Sequence, residues 1–329
     1  MPVADILSGN NGEDQLIKKT DTFEHSLSSN HCCMSNFSLQ NIMLAAMLSL
    51  TASIVTAQKV REPKPMSAEW SMPYQPFRIA GNLYYVGTYD LACYLITTSA
   101  GNILINTGLG TSAAQIKKNI KTLGFQFADI KILLTTQAHY DHMGAMATIK
   151  KATGAQLMVD EKDAPVLEDG GSSDYALGGN GSTFEPVYPD RLLHNGDTIP
   201  LGNMQVVMLH HPGHTKGSCS FLFTVKDDQQ SYRVLIANLP TIVTEKPFAA
   251  VTAYPEIKSD YAFTLKAMQN IPFDIWLASH ASQFKLHDKH KPGDAYNPAA
   301  FTDQQGYNAA ISYLQKQYDE RIQQQPAIK

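Results

Sequence analysis

Six consecutive positions, Gln137-Ala138-His139-Tyr140-Asp141-His142, hold four side chains that can each give a lone pair to a metal. They follow the apolar run from Ile130 to Thr136 in KILLTTQAHYDHMGA, and Gly144 turns the chain into a helix-like segment. Zinc takes imidazole nitrogen and carboxylate oxygen, and a catalytic zinc keeps one position for water. Two more histidines close strand-like runs, His214 shortly after MQVVMLH and His280 after FDIWLA. Loops at the ends of neighbouring strands can bring such residues to one edge of a sheet. The candidates divide into Gln137, His139 and His214 for one ion, and Asp141, His142 and His280 for a second. Two metals about 3.5–4 Å apart can share a hydroxide, polarise a carbonyl and stabilise a leaving group, so the chemistry is hydrolysis without a Ser or Cys nucleophile. A neutral glutamine stands where a third imidazole would be expected. An amide oxygen is the poorer zinc donor, so the first set should bind metal more weakly, and one zinc on Asp141, His142 and His280 should suffice for activity.

These side chains need strands that end together. NLYYVGTY, ACYLITT and GNILINT read as strands, and Ile116, Ile120 and Leu123 then mark a helix that Gly124 stops. Residues 130–136 form the strand that opens the ligand run, Met146 to Ala152 a helix, and QLMVD another strand. DAPVLEDGGSSDYALGGNGS reads as a long glycine-rich loop, a candidate lip over the site. Hairpins at NGDTIPLGN and KDDQQ flank MQVVMLH, SCSFLF and YRVLIAN, and residues 256–270 form a helix. Ile311, Leu314, Tyr318 and Ile322 share one face of a closing helix. The order describes two sheets with helices outside, a four-layer α/β/β/α sandwich in one domain over residues 58–329. Trp70 and Tyr74 anchor the Pro-rich lead-in, Tyr140 is a wall residue, and Asp90 and Asp174 read as solvated turn residues. His210 and His211 read as structural, and His194, His287 and His290 as surface.

Of 329 residues, 43% are apolar and 17% charged, with a formal net charge of -4. That suffices for a large core and argues against nucleic acid as a partner. The first 57 residues read as an N-terminal extension and a signal peptide. From Met34, SNFSLQN leads into the apolar run IMLAAMLSLTASIV and a small-x-small site, with cleavage expected after Ala57. The run is shorter than the ~20 residues of a membrane span, and the pattern needs nothing before Met34. Cys93 and Cys219 remain in the mature chain; their apolar surroundings favour two buried free thiols over a disulfide.

HxHxDH with two later histidines is the signature of the metallo-β-lactamase superfamily, and the chain resembles it along nearly all of the mature sequence. The zinc set is similar to that of subclass B3. Gln137, together with AGNLYYVGTYDLA, HHPGHTKGSCSF, TAYP and SHASQF, resembles the GOB-type enzymes within it. The resemblance implies the metallo-β-lactamase fold, one or two Zn2+ per chain, and hydrolysis of penicillins, cephalosporins and carbapenems in the periplasm. It implies a monomer acting on small β-lactams, with no membrane partner once the signal is cleaved. Asp141 would be the catalytic ligand orienting the bound hydroxide. Thr241 aligns with a serine that binds the substrate carboxylate, and Lys216, beside the His214 loop, is its rival.

The chain also departs from the superfamily. Asn238-Leu239-Pro240 stands where many relatives carry a metal-bridging Asp, which disfavours the glyoxalase II and phosphodiesterase branches and leaves His142 to complete the second site. Asn106 occupies a place usually held by Asp beneath the metals, so it should orient its ligand less strongly. The competing functions are a lactonase or thioesterase of the same fold and a zinc-binding scaffold without catalysis.

Overall fold

Alternating apolar residues with both faces covered build the strands that carry the site. In the computed structural model, Ile103 and Ile105 of one strand and Ile132 and Leu134 of the next face one core, while Leu104 and Leu133 between them face another. The structure describes residues 59–323, all within the compact unit Ala57–Lys329. The signal peptide, its cleavage site, Met34, Cys32 and Cys33 lie outside the described residues.

The first sheet has seven strands in sequence order: β1 (Phe77–Ala80), β2 (Leu83–Tyr85), β3 (Tyr94–Thr98), β4 (Gly101–Ile105), β5 (Ile130–Leu134), β6 (Gln156–Asp160) and β7 (Arg191–Leu193). Strands β1 to β4 pair antiparallel, and β4 to β7 parallel. The second sheet comprises β8 (Thr198–Leu201), β9 (Met204–His210), β10 (Cys219–Lys226), β11 (Ser231–Ala237) and β12 (Ile275–Ala278). Its order is β12-β11-β10-β9-β8, parallel only between β11 and β12.

The core between the sheets joins Ile105 and Leu134 to Val206, Met208 and Phe221. Outside the first sheet, helices α1 (Ser112–Thr122) and α3 (Met146–Thr153) bury Ile116, Ile120, Met146 and Ile149 beside Leu104, Leu133 and Leu157. Between them in sequence, α2 (Tyr140–Met143) is a single turn in the ligand run. Helices α5 (Ile257–Met268) and α6 (Gln304–Gln323) supply Tyr261, Leu265, Ile311 and Leu314 to the core of the second sheet. This is the expected four-layer sandwich. No described helix is long and apolar enough to cross a membrane.

Two local expectations change. The glycine-rich loop opens with a short helix, α4 (Ala164–Glu168), with Pro165 in its first turn, where a missing N–H costs nothing. Strand β5 ends at Leu134, not Thr136. The Thr136 N–H is taken by Asn106 Oδ1 at 2.9 Å, and the Thr136 carbonyl accepts the Cys219 N–H at 2.9 Å. That last bond ties the two sheets together at the mouth of the ligand run. Asn106 sits at φ 62, a left-handed conformation asparagine tolerates. Cys93 and Cys219 are buried free thiols, as expected.

Candidate metal centre

The turn α2 places Asp141 and His142 side by side, with the His142 N–H bonded to the His139 carbonyl at 3.0 Å. A Cβ on Gly144 would fall 2.3 Å from Gly110 N and 2.4 Å from the Leu109 carbonyl carbon, so this run touches the β4–α1 loop backbone to backbone. His280 follows β12 and reaches Asp141 from the second sheet. Asp141 Oδ2 lies 3.3 Å from His142 Nε2 and 3.4 Å from His280 Nε2. Ligand atoms of all three residues lie within 4.8 Å of one another.

The second trio lies beside it. The His139 and His214 rings are 4.8 Å apart, and both line, with Gln137, Asp141 and His280, a cavity of about 410 Å³. His214 Nδ1 faces the Thr241 carbonyl at 2.8 Å, which requires a proton on Nδ1 and leaves the Nε2 lone pair free. His280 is fixed the same way, with Nδ1 3.0 Å from Asp90 Oδ2. His139 turns Nε2 toward Asp174 Oδ2 at 3.4 Å, so Nδ1 is left for a metal. Gln137 Oε1, His139 Nε2 and both nitrogens of His142 are buried without a hydrogen-bond partner. Buried polar atoms are rarely left so, and a cation among these donors would satisfy the inward-facing ones. The residue set fits zinc.

Electrostatics agree. Burial opposes ionisation of Asp141, but His142 and His280 hold its carboxyl well below the usual carboxylate range. Burial and the neighbouring His139 push His214 down to about 3, so it stands neutral and ready to donate. Against burial, Asp141 and Asp90 hold His280 up to about 9, so a metal there must displace its proton.

Asp90 and Asp174 contradict their sequence reading. They are not solvated turn residues: they are 6% and 8% exposed, because each faces a histidine of the ligand set. Asp90 Oδ2 also accepts Trp70 Nε1–H at 3.1 Å, and its Oδ1 accepts the Ser282 N–H at 2.9 Å. Asp163, unnoticed in the sequence, is 1% exposed and joins both ligand loops. It accepts the Ala138 N–H at 2.9 Å, the Thr215 hydroxyl at 2.7 Å and the Gly217 N–H at 2.7 Å. Burial pushes its carboxyl up to about 7. The sequence signal was slight: three aspartates in a loop already marked as a lip, or next to a strand.

The other placements are mixed. Thr241 lines the cavity, with its hydroxyl 3.0 Å from His214 Nδ1. Lys216 is outside the lining residues, its Nζ 5.7 Å from the Tyr254 ring centroid. Tyr140 and Trp70 form walls, together with Met66 and Leu177. Asn106 lies beneath the run, bonded to Thr136 rather than to a ligand. A larger polar hollow of about 980 Å³, near Lys131 and Lys226, holds none of the ligand candidates. His290 is buried, its ring stacked 3.6 Å from Phe77, and His287 stacks 3.7 Å from Tyr89, so neither is a simple surface residue.

His210 is structural, with Nδ1 2.6 Å from Asp160 Oδ2. Burial would lower its pKa, but Asp160 raises it above the ordinary value. A raised histidine stabilises the fold fully below its unfolded pKa of ~6.5 and loses that contribution as pH climbs through the folded value. His210→Gln should therefore cost on the order of 1 kcal/mol in acid and less in base. Thermal melts of both proteins at pH ~6 and pH ~8.5 check this; an equal gap at both would refute it.

With this geometry in place, comparison with known proteins is direct. Residues 88–227 match the metallo-beta-lactamase superfamily. A class B3 di-zinc metallo-beta-lactamase, LRA-12, from an Alaskan soil metagenome, is 68% identical at a TM-score of 0.79, covering 80% of this chain and 100% of that one. The metallo-beta-lactamase GOB-18 from Elizabethkingia meningoseptica is 57% identical at 0.81, covering 82% and 100%. A probable metallo-hydrolase of Burkholderia pseudomallei (strain 1710b) is 31% identical over 34% of this chain. The chain spans 37% to 66% of the length of the first curated relatives it matches. The chain belongs to the metallo-β-lactamase superfamily. Its likeness within that family is to subclass B3 enzymes of the GOB type.

Proposed function

We propose that this protein is a zinc-dependent β-lactamase that opens the lactam ring of penicillins, cephalosporins and carbapenems. The observation that carries the reading is the convergence of Asp141, His142 and His280, with ligand atoms within 4.8 Å, beside a cavity of about 410 Å³. The 68% and 57% identity to B3 enzymes supports it. Asp141, His142 and His280 would hold one zinc, and Gln137, His139 and His214 a second, weaker one. When bound, zinc lowers the pKa of water to about 7 and polarises a carbonyl.

The protein supplies the rest. Asp141 orients the attacking water from the cavity wall, and Asp90 fixes the ring of His280 through its Nδ1. The Thr241 hydroxyl can accept from His214 Nδ1 while donating its own hydrogen to the substrate carboxylate, which makes it the better choice than Lys216. Trp70, Met66 and Leu177 give apolar walls that shed water from the ring. The catalytic domain is assigned to residues 58–329, exported to the periplasm after cleavage behind Ala57, and acting as a monomer.

Purified protein incubated with a penicillin and a carbapenem should consume both, stop when chelator is added, and resume when zinc is restored. Ring opening that persists through chelation, or none at all, would reject the assignment.

A further inference from the structure

The loop of residues 169–184 reaches the His139 imidazole and the backbone at His214. Asp174 Oδ2 stands 3.4 Å from His139 Nε2. Its other oxygen accepts the N–H groups of Ala176 at 2.9 Å and Leu177 at 2.6 Å, shaping the turn that sends Leu177 to the cavity wall. The next residue, Tyr175, donates its hydroxyl to the carbonyls of Gly213 at 3.0 Å and His214 at 3.1 Å. Two adjacent side chains thus bring one wall of the cavity against the His139 ring through a charge contact and tie it to the His214 carbonyl through a hydrogen bond. The turn has little slack, since a Cβ on Gly178 would meet the Asp174 carbonyl oxygen at 2.4 Å.

Gln137, His139 and His214 carry no anionic ligand among them. A carboxylate behind a metal-binding imidazole orients the ring and raises its basicity, and removing such a partner typically costs metal affinity. We propose that Asp174 is a positioning residue that strengthens His139 as a ligand, and that it couples metal occupancy of the Gln137/His139/His214 site to the order of the 169–184 wall. This rests on the zinc reading above. Coupling of this kind is reciprocal: whatever tightens the loop tightens the metal, and the metal in turn stills the loop.

The test uses the wild-type protein, Asp174→Asn and Tyr175→Phe. Asparagine keeps an oxygen for the Ala176 and Leu177 N–H groups but turns an NH2 donor, in place of the anionic oxygen, toward His139 Nε2. Zinc affinity is measured by competition with a chromogenic chelator, and hydrogen exchange over residues 169–184 is followed with and without zinc. Asp174→Asn should weaken one of two zincs by about ten- to a hundredfold and leave the other unchanged. Zinc should slow exchange of the loop in the wild type, and much less in either variant. Tyr175→Phe keeps the carboxylate but loosens the loop, so its zinc affinity should fall, by less than that of Asp174→Asn, while its loop loses protection.

Unchanged affinity at both sites in Asp174→Asn, or loop exchange indifferent to zinc in the wild type, would overturn the proposal while leaving chelator-sensitive hydrolysis intact. Should Asp174→Asn fail to fold, the wild-type and Tyr175→Phe exchange data decide alone. A wild type that binds no zinc would overturn this proposal and the functional assignment together.

Discussion

Asp141→Asn should cut carbapenem hydrolysis by about a thousandfold, the equivalent of roughly 4 kcal/mol of transition-state stabilisation. Asp141 is the single anion among the six ligand candidates, and its Oδ2 sits 3.3 and 3.4 Å from two imidazole nitrogens. An amide at that position makes every ligand neutral, so the site holds a divalent cation less tightly and orients water less well. The loss should appear in kcat/KM with bound zinc falling in parallel, because the same atom serves both. Steady-state kinetics beside metal analysis of the same sample give the check. A variant keeping more than about a tenth of the activity and its full zinc content would remove Asp141 from the ligand set.

Asp163→Ala should produce the largest loss of stability outside the apolar core. It strands the Ala138 N–H, the Gly217 N–H and the Thr215 hydroxyl in a buried place. Each unsatisfied donor costs about 1–3 kcal/mol, and partial relaxation brings the sum to roughly 3–5 kcal/mol. For a domain of this size that lowers Tm by about 10 °C. Melting the metal-free protein isolates the effect from zinc binding, and Thr215→Val, which removes one arm alone, should lose about a third as much. A drop under about 2 °C for Asp163→Ala would show that water replaces the carboxylate at no great cost.

Much of this was legible in the residues because it depends on local chemistry. The β4 and β5 strands showed themselves through apolar runs bounded by glycine, and the ligand run through residue types that make a poor core. Convergence of His214 on His139, and of His280 on Asp141, followed from each lying past a strand end. The carboxylates were another matter. Asp90 and Asp174 have the sequence surroundings of exposed turns, and only the tertiary positions of His280 and His139 bury them. Asp163 opens a short helix within a polar stretch, and its three partners come from two distant loops. The early end of β5 was hidden for a related reason: the Thr136 N–H serves the Asn106 side chain and its carbonyl a cross-sheet bond, neither of which a local pattern encodes.

Gly144, behind the ligand run, and the rim of the cavity have very different room for change. The ligand run presses against Leu109 and Gly110 so closely that even one methyl group has no room, whereas Met66 and Leu177 are 85% and 38% exposed at the cavity wall. A side chain added at Gly144 therefore meets backbone, while one changed at Met66 or Leu177 meets solvent. Room for a new side chain lies at the rim. On the proposed activity, the cavity can therefore change which substrate side chains it admits without any change in the residues that would open the ring.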